Sequence, residues 1–246
     1  MLKLLANWPA PSHVKALTTT RRYGNSKPPY DQNNLGLHVG DNPEQVLLNR
    51  CGLIASLNLP KEPEWLLQTH STHCINVDND ITRNADAAIT HEPNRVLAIM
   101  TADCLPIMLC NQQGTEIAAI HAGWRGLVNG IIENSIAKLK SHPTNLMAWI
   151  APSICQACYE VGDEIRSTIL SKYEALEACF MPSPQSTQHT PKWLANLPQI
   201  AEEILKRLTI NAVYQSNVCT FEQKEYFYSY RRMPQTGRIA TLIWFI

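Results

Sequence analysis

The chain has 246 residues, 45% of them hydrophobic, and sets Lys+Arg 21 against Asp+Glu 21. That is ample apolar material for a packed core, and the balanced charge leaves no basic field to gather nucleic acid or anionic lipid, so a small ligand is the expected partner. No run reaches the roughly 18 apolar residues a membrane helix needs, Met1 to Pro9 is broken too early for a signal peptide, and the eight scattered cysteines read as reduced thiols, all of which fit a cytoplasmic protein.

Val14 to Arg21 reads as a strand, and Arg22 to Tyr30 as a loop by its Gly and Pro content. Asp41 or Asn42 is placed to cap a helix from Pro43 to Leu57, with Val46, Leu47 and Arg50 at helical spacing. Trp65 to His70 reads as a strand, continued or partnered by Cys74 to Val77. Ala85 to Thr90 and Val96 to Met100 are two more short apolar runs, on either side of the turn His91 to Asn94.

They lead into the stretch from Thr101 to Gly126. Its two runs, Thr101 to Cys110 and Glu116 to Ala122, are too short for helices and bounded by turn residues, so both are expected to be buried strands. From Leu127 to Lys140 the apolar spacing turns to three and four, the helix period, so His121 falls where a strand hands over to a helix. Leu146 to Ile150 is a further strand, stopped by Pro152. Val161, Ile165, Ile169 and Leu170 mark a helix, Ser183 to Pro191 has loop composition, and Leu197 to Leu208, capped by Asn196, is an amphipathic helix. Tyr226 to Arg232 and Ile239 to Ile246, rich in aromatic and β-branched residues, read as closing strands. Strands and helices interleave without a βαβ cadence or an internal repeat. The expected fold is therefore α/β (α+β), one domain over residues 1–246, with a mixed β-sheet covered by helices.

Three side chains in or at the ends of these strands are candidate metal ligands: His70, Cys104 and His121. Taken singly, each is as well explained by packing or hydrogen bonding, and their separations are not the close spacings that identify zinc from sequence. His73, three places after His70, falls on the opposite face of an extended strand and is expected in solvent. Cys155-Gln156-Ala157-Cys158 has redox or zinc spacing, but no second pair answers it, so it reads as coincidence. Cys51, Cys110, Cys179 and Cys219 read as packing residues. Arg125, between Gly123 and Gly126 at a helix start, is equally a phosphate clamp or a surface arginine. Of Arg231 and Arg232, one is expected to point inward.

Several blocks then stand together in order: Asn34-Leu35-Gly36-Leu37-His38-Val39-Gly40-Asp41, Gln68-Thr69-His70, Ala85-Asp86-Ala87, Thr101-Ala102-Asp103-Cys104-Leu105-Pro106, His121-Ala122-Gly123-Trp124-Arg125-Gly126, Tyr159-Glu160-Val161-Gly162, and Ser229-Tyr230-Arg231-Arg232 with Thr236-Gly237-Arg238. Across nearly the whole chain this resembles the bacterial YfiH family, also described as the laccase-domain or multicopper polyphenol oxidase family and as purine nucleoside phosphorylases. The resemblance implies that His70, Cys104 and His121 bind Zn2+. It also implies phosphorolysis of adenosine, inosine and S-methyl-5'-thioadenosine to the free base and (methylthio)ribose 1-phosphate, and deamination of adenosine. The chain departs from the family at Thr69-His70-Ser71 (more often Val-His-Gly), at Cys155 (usually Gly) and at Asn196 (Asp), none of which replaces a ligand.

Three protein ligands leave a fourth position for water or substrate, as in catalytic zinc sites, and one thiolate leaves the ion a Lewis acid. On that basis the catalytic candidates are His70, Cys104, His121, Arg125, Asp103 and His38. Arg125 is the expected phosphate clamp, with Arg231 or Arg232 behind it, and Asp103 or His38 the proton shuttle; Asn34 joins the three arginines as a candidate contact to substrate or phosphate. The implied partners are purine nucleosides and phosphate, with no nucleic acid or membrane, in a monomer or homodimer.

Two other enzyme classes compete. A copper-dependent polyphenol oxidase needs roughly ten histidines, several in His-x-His pairs, whereas this chain has His 8 and no such pair; Cu2+ is therefore only the alternative metal. A cysteine-type amide hydrolase editing peptidoglycan precursors would use Cys104 as nucleophile and His121 as base, and would ignore a chelator. A purely structural zinc module would instead unfold when its metal is removed.

Overall fold

A computed structural model describes residues 2–246. Among those residues the strands form two mixed sheets and a small antiparallel patch. One sheet runs, in spatial order, Ala212–Gln215, Leu146–Ile150, Leu105–Asn111, Ile117–Ala122, Ala87–Thr90 and Cys74–Asn76. The other runs Lys3–Leu5, Val14–Thr19, Ile239–Phe245, Leu97–Thr101 and Glu64–Trp65.

Alternation along each strand decides how these layers stack. In Leu105–Asn111, the side chains of Leu105, Ile107 and Leu109 pack with Ile132 and Ile136 of helix Ile131–Ile136 and with Ile200 and Ile204 of helix Leu197–Arg207. The alternate residues Met108 and Cys110 pack instead with Leu97, Ile99 and Ile243 of the facing sheet. On that sheet's far side Ala98, Ala240 and Leu242 meet Leu53 of helix Pro43–Leu57. The order of layers is helix, sheet, sheet, helix. Strands buried on both faces read as unbroken apolar runs, which is why these segments show little polar alternation.

The expected single mixed sheet is thus two sheets packed face to face. The chain leaves one at Thr101 and enters the other at Leu105, so the anticipated run Thr101 to Cys110 is broken at Ala102-Asp103-Cys104. The helix expected from Leu127 to Lys140 is two short ones, Trp124–Asn129 and Ile131–Ile136, because Gly130 takes a left-handed φ of 100° between them. Val161 belongs to the short strand Glu160–Gly162, and the helix that follows is Asp163–Lys172. Tyr226 to Arg232 forms turns rather than a strand, its polar groups being spent on the loop contacts described below. The strands Lys3–Leu5, Phe180–Pro182, Lys192–Ala195 and Ala212–Gln215 were not anticipated; each is at most four residues.

Other expectations hold. The Asn42 side chain caps the helix Pro43–Leu57 by accepting from the Glu44 amide at 2.8 Å, and the Asn196 side chain accepts from the Gln199 amide at 3.2 Å at the start of Leu197–Arg207. Among the described residues no helix is long and apolar enough to cross a membrane.

Candidate metal centre

The antiparallel ladder pairs Leu105 with Ala122 and Pro106 with His121. Continued by one residue, that register sets Cys104 against Gly123. His121 shares its parity with Ile117 and Ala119, so its ring turns toward the space between the sheets, at the open end of the ladder. His70 comes from a third segment, and one donor atom from each of His70, Cys104 and His121 lies within 4.8 Å of the others. His70 Nε2 and Cys104 Sγ are 3.6 Å apart. Zinc bonds of about 2.3 Å to sulfur and about 2.1 Å to nitrogen, at tetrahedral angles, require a separation of about 3.6 Å. The donor set and its spacing therefore fit a zinc ion.

Gly123 makes the approach possible. A Cβ there would stand 2.7 Å from His70 Cδ2 and 3.2 Å from Cys104 Sγ, so any side chain would displace two of the three donors.

The residue that organises the centre is Asp86, which the sequence reading did not single out. It is fully buried, and its carboxylate accepts from the backbone N–H of Thr69 at 3.1 Å, His70 at 3.0 Å and Ser71 at 2.6 Å, and from the Ser71 hydroxyl at 2.7 Å. It also accepts from His121 Nδ1 at 2.8 Å. An ionised carboxylate only accepts, so Nδ1 carries the imidazole proton and Nε2 is the lone-pair donor left for a metal. The three amides explain why Trp65 to His70 is not the expected strand. Only Glu64–Trp65 is extended, and the chain then curls around Asp86 with His70 at φ 61°. His73 lies outside the cluster, exposed, with Nδ1 against the Asn84 carbonyl at 3.0 Å.

Electrostatics follow from this packing. Burial works against ionisation of Asp86, but hydrogen bonds from His121 and Ser71 and the imidazole charge outweigh it and hold the carboxyl well below the usual range. Burial likewise raises the Cys104 thiol, and His121 and His70 pull it below an ordinary cysteine. Against its own burial, His121 is raised by Cys104 and then Asp86. The site thus favours the thiolate that a metal requires.

A second buried carboxylate steadies the neighbouring turn. Asp103, at φ 96°, accepts from Thr220 Oγ1 at 2.7 Å, Ser229 Oγ at 2.9 Å and the Arg231 amide at 2.7 Å. These donors hold its carboxylate against the loop that packs on the turn before Cys104. Asn34 is similarly engaged: its Oδ1 accepts from the Gly36 and Arg238 amides, and its Nδ2 donates to Asp41. Arg232 is the inward member of its pair, donating to the carbonyls of Thr220, Phe221 and Phe227, which leaves it a brace of the loop.

The remaining candidates are Arg125, Arg231 and His38. Arg125 is exposed and lies 4.6 Å from the Trp124 ring, with no carboxylate partner among the described residues. Arg231 donates to the Glu160 carbonyl at 2.8 Å and sits 5.1 Å from the ring of Tyr159. Tyr159, whose ring lies under the Arg231 guanidinium, has its phenol raised by burial and then by the charge of Cys104, and lowered by Arg231 and Arg125. His38 is exposed, its imidazole held below the usual value by partial desolvation and by Arg238 and Arg50. None of the donors lines the cavity of about 380 Å³ bounded by Ile154, Cys155, Asn196, Asn217 and Cys219.

Residues 15–246 match the family model described as multi-copper polyphenol oxidoreductase laccase. The chain is 41% identical over 100% of both chains to the Escherichia coli protein named purine nucleoside phosphorylase YfiH. It is 42% identical to a Haemophilus influenzae purine nucleoside phosphorylase, covering 97% of each chain. The crystal structure of a Neisseria meningitidis protein, 40% identical, superposes with a TM-score of 0.92 over 99% of this chain and 98% of that one.

Proposed function

The chain belongs to the family of multi-copper polyphenol oxidoreductase laccases that includes the YfiH purine nucleoside phosphorylases, and on that premise we propose that it splits purine nucleosides with phosphate. The observation that carries the proposal is the full-length identity of 41% to a relative bearing that name. Adenosine, inosine and S-methyl-5'-thioadenosine are the proposed substrates, with adenosine deamination as a further reaction of the same centre, and residues 1–246 act as one catalytic domain.

His70 Nε2, Cys104 Sγ and His121 Nε2 would hold the metal, and Zn2+ is proposed over Cu2+. The observation favouring zinc is where the other histidines are engaged. His91 Nε2 lies 2.6 Å from Glu116, His13 Nε2 lies 3.1 Å from the Gly114 carbonyl, and His142 is hydrogen-bonded within its own turn to Thr144. They are dispersed over the fold, whereas a multicopper centre gathers its histidines. When bound, the ion supplies Lewis acidity toward water or a substrate oxygen.

The protein's own groups do the rest. Asp86 fixes the orientation and tautomer of His121 and the backbone of His70. Asp103 holds the turn that presents Cys104. Arg125 and Arg231, whose guanidinium forks suit phosphate, are the proposed phosphate contacts, Arg231 standing over the ring of Tyr159. His38 is the proposed proton carrier.

Incubation with adenosine, with and without phosphate, followed by separation of the purines, tests the reading. Adenine formed only with phosphate establishes phosphorolysis, and inosine formed without phosphate establishes deamination. Neither product from zinc-loaded protein would end the proposal.

A further inference from the structure

Cys155 and Cys158 have a partner after all. They bracket the short turn Gln156–Cys158, and Cys219 reaches them from the loop after strand Ala212–Gln215, held alongside by a parallel bridge between Ser153 and Cys219. The three sulfur atoms lie within 4.8 Å of one another. A fourth donor stands at hand: Glu222 Oε1 is 3.9 Å from Cys158 Sγ. The Cys155 amide donates to Cys219 Sγ at 3.2 Å, the kind of backbone contact that supports a thiolate bound to metal. Arg232, fixed on the carbonyls of Thr220 and Phe221, adds a positive charge to the turn that carries Cys219 and Glu222.

We propose that Cys155, Cys158, Cys219 and Glu222 form a second, structural zinc site, separate from the His70, Cys104 and His121 centre. Four zinc bonds at tetrahedral angles place sulfur atoms about 3.8 Å apart and a sulfur and a carboxylate oxygen about 3.5 Å apart. The three sulfur atoms already stand within 4.8 Å of one another, and Glu222, now within reach of Cys158 alone, would rotate inward to complete the set. Three soft thiolates select zinc over magnesium or calcium, and a complete set of four protein donors leaves no open position, which assigns the site to structure and not to catalysis. Metal entry is provided for: Cys155 and Cys219 line the cavity of about 380 Å³, and Cys155 and Cys158 are only half-buried.

The site has a mechanical consequence. It would tie the segment 153–158 to the loop 216–222, and each carries a partner of Asp103. The Ile154 amide donates to the Asp103 carbonyl at 3.0 Å, and the Thr220 hydroxyl donates to its carboxylate at 2.7 Å. A zinc ion there braces the residue that precedes Cys104.

The test uses full-length Cys104→Ser protein, which lacks the catalytic centre's thiolate, stripped with a chelator and titrated with Co2+. The proposal predicts one tightly bound equivalent with a near-ultraviolet thiolate-to-cobalt charge-transfer band, and loss of that band when Cys219→Ser is added. Because Cys219 is buried, the half-buried Cys158→Ser is made in parallel and must weaken the band as well, with circular dichroism showing both proteins folded. Three outcomes would each overturn the proposal: a Cys104→Ser protein that binds no cobalt, one that binds it without the band, or a disulfide joining two of the three cysteines in unreduced, metal-saturated protein.

Discussion

Between the two sheets Met108, Ile99 and Ile243 are held by many contacts, each of small value, whereas at the rim a single carboxylate, Asp86, gathers three backbone amides, a hydroxyl and an imidazole. The interior spreads its stability over a surface, and the rim concentrates it in a few atoms. Interior substitutions should therefore lower stability without touching the metal, and rim substitutions should strike metal binding first or strike both.

Asp86→Ala is expected to have the largest effect. It leaves three amides and the His121 Nδ1–H without their acceptor, so the folded state should lose about 3–5 kcal/mol and zinc affinity should fall at least about 10–100-fold. Denaturant unfolding of metal-free protein and competitive zinc titration measure the two losses; a drop in only one of them would show that Asp86 does not join fold to site. Leu109→Ala, in the helix-facing core, comes next. It should cost about 2–5 kcal/mol while the folded protein keeps its zinc affinity, and a parallel loss of affinity would mean that the interior is not separable from the rim.

Gly123→Ala should invert that result. Its Cβ meets His70 and Cys104 side chains rather than the sheet core, so zinc affinity should drop about 10–100-fold with the metal-free unfolding midpoint nearly unchanged. The smallest effect at neutral pH is acid lability. The folded-state pKa of Asp86 is depressed, so its stabilisation is present above the unfolded carboxyl value of about 3.9 and is lost as pH falls from there toward the folded value. Wild type should therefore lose stability more steeply below about pH 4 than Asp86→Asn, and equal slopes in acid denaturation would contradict the assignment.

The same contrast explains what the sequence revealed. Strands at Leu105–Asn111, Ile117–Ala122 and Ile239–Phe245, and the capped helix Pro43–Leu57, follow from apolar runs and cap residues that act locally. His70, Cys104 and His121 were identified as ligands only through family resemblance, because three different segments bring them together. Asp86 stands in the block Ala85-Asp86-Ala87 with no role assigned by the resemblance, although an acid in so apolar a run needs several donors to be buried and so marks a hidden network. Asp103, Asn34 and Arg232 carry side chains suited to substrate, yet each also holds the fold's own loops together, and composition cannot tell those uses apart. Cys219 shows the converse: isolated in sequence, it completes a cluster that Cys155 and Cys158 cannot make alone.

The central claim is that this is a metal-dependent nucleoside phosphorylase centred on His70, Cys104 and His121. It is tested most directly by phosphate-dependent release of adenine from adenosine, assayed on chelator-stripped protein before and after zinc is restored. The account predicts no release from stripped protein, recovery with stoichiometric zinc, and no recovery in Cys104→Ala. Full activity in the stripped protein, or in Cys104→Ala, would contradict it.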